Sequence, residues 1–274
     1  MKVIRVGQRC LLAALVFSAI ACASASASSP YEIRGLPEVG RCVKVPTGKG
    51  AYKGGLCITL ETKGLGKYEW TQANVTEKFT FAGSGLESIL TSPGHPKIKC
   101  VAANIAGEWT GGKTASVTIE FQGCTDPLGH QCSSNPQNKS EIKTLPLEAE
   151  LGFLRNEIKE GKLIVATGLD LKPQPPLTDL ALYECGTVTE TSRLEGSIVG
   201  RISPFDKMTT TSNLLYTTRS NGEQLYTKFQ GGPTDTLSTT FTSGIESTTA
   251  PTTLKITSET GKNSAPLEIK AKEN

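Results

Sequence analysis

An all-β fold, an antiparallel β-sandwich or barrel stapled by disulfides, is the fold class that this sequence predicts. Three observations point to it. Short segments rich in Val, Ile, Thr and aromatic residues recur with partial alternation: RCVKV, LCITL, KFTFA, SVTIEF, PLEAELGF, KLIVATGL, LALYEC and GSIVGRI. Clusters of Gly, Pro, Asn and Ser separate them, as turns separate strands. Six cysteines stand downstream of an N-terminal leader, an even number suited to pairing.

The leader comes first in the chain. Lys2, Arg5 and Arg9 form a basic head, Leu11 to Ala21 an apolar run, and Ala25-Ser26-Ala27 matches the A-x-A pattern cut by signal peptidase. Residues 1–27 are expected to be a signal helix, and the mature chain to be secreted or held at the cell surface. The apolar run has about half of the roughly 20 residues that a membrane span needs, so no transmembrane span is expected. Ala19-Ile20-Ala21-Cys22 is similar to a lipobox and would place a lipid anchor on Cys22. Ala19 stands where Leu is usual, so plain secretion is the first expectation.

The leader also carries the excess charge. The chain has 29 basic and 26 acidic side chains, and with Lys2, Arg5 and Arg9 removed, 26 of each remain. A protein without a basic surplus lacks the means to neutralise phosphates, so nucleic acid is not an expected partner.

Residues 28–76 read as a small N-terminal β subdomain around a Cys42/Cys57 hairpin, and residues 77–274 as the main β domain. Within the latter, GFLRNEIKEGK (152–162) alone has a helix-like composition. From about residue 208 the chain is rich in Thr and Ser, and NLLYTT, GEQLYTKF and TTLKIT suggest edge strands or a second, less apolar layer.

The mature cysteines are Cys42, Cys57, Cys100, Cys124, Cys132 and Cys185, which allow 15 pairings. Sequence alone leaves the choice open. Short loops close most readily, so Cys42–Cys57 and Cys124–Cys132 are the expected local pairs, with Cys100–Cys185 by elimination.

Several motifs invite a chemical reading. Gly107 to Thr114 (GEWTGGKT) fits G-x-x-x-x-G-K-[ST], but a phosphate-binding loop opens a helix, and the ASVTIEF that follows is strand-like. A connection between strands is expected, without a nucleotide. Cys124, Asp126, His130 and Cys132 are all zinc-ligand types, yet paired cysteines cannot serve as thiolates, so no metal and no cofactor is expected. Glu148 and Glu150 lie about 6.6 Å apart on one strand face, a spacing near that of inverting glycosidases. The alternation places Leu147, Ala149 and Leu151 inward, hence both carboxylates in water. His95 and His130 are the two histidines. No G-x-S-x-G elbow accompanies them, so no catalytic residue is assigned. Trp70 and Trp109 are the candidate ligand-binding residues, because an aromatic ring on a β surface can stack on a sugar.

Taken in order, RCVKV, YKGGLC, YEW, IKC, GEWTGGKT, VTIEFQGC, EIKTLPLEAELGF, GLDLKP, LYECG, EGSIVGRISP and FQGGP form a set. It resembles a large group of uncharacterised exported proteins of soil actinobacteria. The resemblance implies export and an all-β fold and supplies no catalytic residue. The expected role is binding or structural, at the cell envelope, with a cell-wall glycan or other envelope component as partner. The alternative is a secreted hydrolase acting on carbohydrate.

Overall fold

The computed structural model describes residues 35–73, 79–186 and 190–272, without the side chains of residues 258, 259 and 272. The expected signal helix and Cys22 lie outside the described residues. In chain order the strands are β1 (Leu36–Lys44), β2 (Tyr68–Gln72), β3 (Phe79–Gly85), β4 (Ser88–Thr91), β5 (Ile98–Cys100) and β6 (Ala102–Trp109). Next come β7 (Thr114–Gln122), β8 (Cys132–Ser133), β9 (Glu141–Lys143), β10 (Leu147–Lys159), β11 (Lys162–Pro173) and β12 (Asp179–Cys185). The last are β13 (Glu190–Gly196), β14 (Ile198–Ser203), β15 (Thr209–Tyr216), β16 (Leu237–Ser243), β17 (Glu246–Pro251) and β18 (Thr253–Lys272).

Eight of these make a closed barrel. β3, β6, β7, β10, β11, β14, β15 and β18 pair in that order, each antiparallel to the next, and β18 pairs with both β15 and β3 to close the ring. Closure removes the edges that an open sheet would expose. The strands form because their residues alternate. In β7, Ala115, Val117, Ile119 and Phe121 are buried while the intervening residues are half-exposed. Leu147, Ala149 and Leu151 of β10 and Leu169 and Leu171 of β11, the next two strands of the ring, also turn inward.

The interior is filled by side chains. Phe81 and Trp109 pack at 5.5 Å between ring centroids, and Tyr216 is fully buried. Glycine makes room for it: a Cβ on Gly200 would lie 2.6 Å from the Tyr216 ring. Two cavities of about 20 Å³ each remain beside Trp109, with space for about one water apiece. The barrel interior is therefore packed with side chains around these small cavities. Replacing Gly200 with Ala is expected to destabilise the fold by about 1–3 kcal/mol, because the Tyr216 ring has nowhere to move. A thermal melt measures it, and an unchanged midpoint would contradict this packing.

An up-and-down meander places alternate connections at opposite ends. At one end the links are short: residues 110–113, 160–161 and 204–208. At the other end all four links are long, and they carry β4–β5, β8–β9, β12–β13 and β16–β17. These insertions build a cap. Its sheet runs β17-β16-β13-β12-β8. The Thr/Ser-rich stretch supplies β16 and β17, with β17 at the edge, so the second layer expected there is present.

Three disulfides are present, and two differ from the expected pairs. Cys42–Cys57 forms as expected, with Cα atoms 5.6 Å apart. The others are Cys100–Cys124 and Cys132–Cys185, with Cα separations of 3.9 and 4.0 Å. The expected Cys124–Cys132 and Cys100–Cys185 pairs are corrected by lateral strand pairing. Cys132 and Cys185 sit directly opposite each other in the β8–β12 ladder. Cys100 is likewise brought beside Cys124 by the Lys99–Thr125 bridge. Cys124 and Cys132 do meet, but through the backbone, where Cys132 N–H donates to Cys124 O at 2.9 Å.

Three segments depart from their sequence reading. GFLRNEIKEGK is the β10–β11 hairpin, because pairing along its whole length outweighs its composition. LCITL is not a strand: Cys57 sits at φ 49°, which bends the chain there. GEQLYTKF belongs to a strap (217–236) without strands that crosses the outer barrel wall, where Phe229 lies over Gly152. Gln230 N–H donates to Phe153 O at 2.7 Å, fixing the strap to β10.

The GEWTGGKT segment joins β6 to β7, and no helix follows it. Thr110 N–H donates to Thr114 O at 2.9 Å. Lys113 Nζ pairs with Glu38 Oε1 at 3.5 Å, so the lysine ties β1 to the hairpin. β1 also pairs with β18 and β2. Residues 36–72 thus form a lobe attached at the short-link end of the barrel.

Candidate functional site

The cap brings together residues that are far apart in the sequence. The chain has two histidines, and both line one groove of about 260 Å³. His95 arrives on the turn between β4 and β5, and His130 on the turn before β8. Asp126, Leu128, Tyr183, Glu190, Ser192 and Phe241 complete the walls. A second depression of about 590 Å³ lies on the other side of His130 and shares Tyr183, with Ser133, Lys139 and Glu184 on its rim. His130 is the ridge between them.

The His130 turn is encoded locally. In Asp126-Pro127-Leu128-Gly129 the proline presets the turn and Gly129 takes φ 85°. Asp126 Oδ1 accepts the backbone N–H of Leu128 and of His130, both at 2.9 Å. Its Oδ2 meets His130 Nδ1 at 2.8 Å. With Nδ1–H donated to the carboxylate, Nε2 is the nitrogen left to face a ligand. Burial alone would raise the Asp126 carboxyl. The hydrogen bonds from the His130 ring and from the two backbone N–H groups outweigh it and hold the group below its usual value.

The opposite wall is aromatic. The His95 ring stacks on Phe241 with centroids 3.5 Å apart and planes 7° from parallel. Beneath them runs a line of buried hydroxyls. Burial pushes Tyr183 up to about 12, against hydrogen bonds to Ser192 and Thr239, so the phenol stays neutral. Thr239 Oγ1 lies 2.7 Å from Thr252 Oγ1, and Ser92 Oγ lies 2.7 Å from the same Thr252 oxygen. This line ties Thr239 of the cap sheet to Thr252, just before β18, and to Ser92, just after β4.

Two disulfides and one ladder hold the four insertions to one another. Cys100–Cys124 joins the first insertion to the second, and Cys132–Cys185 the second to the third. β13 pairs with β16 to add the fourth. The ring closes where Phe241 of the fourth stacks on His95 of the first.

The residues singled out from sequence fall elsewhere. Trp109 is buried inside the barrel, and Trp70 is buried in the lobe with Lys270 Nζ 5.5 Å from its ring. Neither offers an open face for stacking. Glu150 is exposed and pairs with Lys172 at 3.1 Å, and Glu148 is half-buried beside it. Neither lines the groove. All six cysteines among the described residues are in disulfides, so Cys124 and Cys132 have no thiolate for a metal. Among the described residues, no group of three or more His, Cys, Asp or Glu side chains is placed to hold a metal ion. Sequence reading did not bring His95 and His130 together. The one local signal was the D-P-x-G-H turn, which presents a histidine beside an aspartate.

Compared with known proteins, the chain matches no family model, no curated protein and no solved structure.

Proposed function

We propose that this is an exported binding protein of the cell envelope, in which the barrel is a scaffold and the cap groove holds the ligand. One observation carries the reading. Both histidines, the Asp126 carboxylate and the His95–Phe241 stack converge in a groove on the cap, whereas the barrel interior is filled. The half-buried His95 ring, backed by the buried Phe241, stands opposite polar groups and suits a ligand with an apolar face and a rim of hydroxyls, as a pyranose has. A cell-wall glycan fits that description. The three disulfides suit an oxidising extracytoplasmic setting.

The test is a glycan and cell-wall-fragment array on the exported protein. His130→Ala and Phe241→Ala are each expected to weaken binding at least tenfold, while His130→Ala leaves the melting temperature within about 2 °C. A protein that binds no fragment, or binds equally well after both changes, would overturn the proposal.

The His130–Asp126 pair favours one second reading, a hydrolase, since such a pair orients a general base. Against it, among the described residues the His130 ring bonds Asp126 and no hydroxyl. Release of product from glycoside or ester substrates, abolished by His130→Ala, would decide for the hydrolase.

A further inference from the structure

The lobe at the short-link end carries a surface unlike the rest of the molecule. Leu56, Ile58, Leu60 and Leu65 are each at least 57% exposed, and Leu36 is 52% exposed. Isolated exposed leucines are ordinary, but five within 30 residues of chain are not. The backbone holds them out. Cys57 is buried in its bond to Cys42, so its neighbours Leu56 and Ile58 face outward. Lys270 Nζ donates to Leu56 O at 3.3 Å and to Cys57 O at 3.0 Å, which clamps that turn.

The same segment concentrates charge. Residues 41–67 contain Arg41, Lys44, Lys49, Lys53, Lys63 and Lys67 against Glu61 alone, a net of +5. The mature chain as a whole has none. The five lysines are exposed, and among the described residues no carboxylate pairs with them. Exposed aliphatic side chains set among unpaired lysines match one kind of surface. The aliphatics enter the headgroup boundary of a bilayer, and the lysines meet anionic lipid. A second copy of the chain fits poorly, because two +5 faces repel. A soluble polyanion would use the lysines and leave the apolar groups idle.

We propose that residues 41–67, with Leu36, dock this protein on an anionic lipid bilayer. The lobe is also the described region nearest the leader: thirteen residues separate Cys22 from Leu36. Docking there points the cap groove away from the membrane. A barrel strand of eight residues, tilted, sets the two ends roughly 20 Å apart.

The test is flotation of the exported protein with vesicles of phosphatidylcholine, with and without an equal share of phosphatidylglycerol. Cys22→Ala is introduced throughout so that no acyl chain contributes. The anionic vesicles are expected to bind at least tenfold more protein than neutral ones, and 0.5 M salt to weaken it. A Leu56→Ser, Ile58→Ser, Leu60→Ser variant is expected to lose at least tenfold at an unchanged melting temperature. Lys49→Glu, Lys53→Glu and Lys63→Glu together are expected to lose a similar or larger factor, since each lysine near such a surface contributes about fivefold. No preference for anionic vesicles overturns the proposal. So does binding that heparin competes away but the serine variant retains, which would mark a polyanion site. Concentration-dependent dimerisation abolished by the serine changes would also overturn it, in favour of a self-contact.

Discussion

Cys132→Ala with Cys185→Ala is expected to lower the melting temperature by about 10 °C and to abolish ligand binding in the cap groove. The bond closes a loop of 53 residues. In the chain-entropy model that constraint is worth about 4 kcal/mol, and about 2–4 °C per kcal/mol applies to a chain of this size. The loss is local as well as global. β8 is two residues long and meets β12 through two residue pairs, Glu184–Ser133 and Cys185–Cys132. Without the covalent link, little holds β8 against the cap sheet, and the His130 turn that precedes it loses its anchor. Removing Cys42–Cys57, with a separation of 15, should cost a comparable stability but leave groove binding intact, since that bond lies at the opposite end. Calorimetry under non-reducing conditions and a binding assay on both double variants make the comparison. Equal loss of binding in the two would mean that the cap depends on global stability alone.

Asp170→Asn is expected to stabilise the protein at pH 8 and to change little at pH 4. Asp170 lies on the outer wall of β11 under the strap and is 7% exposed, with Oδ1 buried and without a hydrogen-bond partner. Burial, then the nearby Asp235 carboxylate, pushes it up to about 7; Lys172 opposes this and Glu150 adds to it. A carboxyl raised in the folded state binds its proton more tightly there than in the unfolded chain. Its contribution is fully favourable below about pH 4 and is lost as pH rises through about 7. About three pH units at 1.36 kcal/mol each set the penalty at pH 8 on the order of 4 kcal/mol, as an upper bound. Asn removes the charge and with it the pH dependence. Asp235→Asn should recover a smaller part, because Ser197 Oγ already donates to Asp235 Oδ1 at 2.8 Å. Melts of the variants across pH 4–8 measure both effects, and a shift that is the same at every pH would refute the assignment.

What could be read from sequence was what lies along a single strand. SVTIEF and LALYEC alternate, and they are strands. Strand-like composition after GEWTGGKT was enough to reject a phosphate loop. What failed depends on lateral neighbours. Cys124 and Cys132 look like a local pair, yet each is claimed by a cysteine on an adjoining strand. GFLRNEIKEGK favours a helix in isolation, and the facing KLIVATGL makes it a hairpin. Thr239 and Thr252 look like surface residues in a Thr-rich tract, and both are buried in the hydroxyl line under the groove. The groove was the least legible part. His95 and His130 meet because they ride on long links at the same end of the barrel, and no spacing between them encodes that.

The way the barrel closes has a kinetic consequence. β18 pairs with β15, β3, β4 and β1, joining Thr260 to Ser84 and Lys272 to Leu36. These are contacts of very high sequence separation, which form slowly because a long loop must close first. In a chain made N-terminus first, residues up to 252 can form at most an open sheet with two raw edges. The ring cannot shut until the final strand has emerged. Until then the two open edges stay available for mispairing, and the barrel is completed only once β18 has been made.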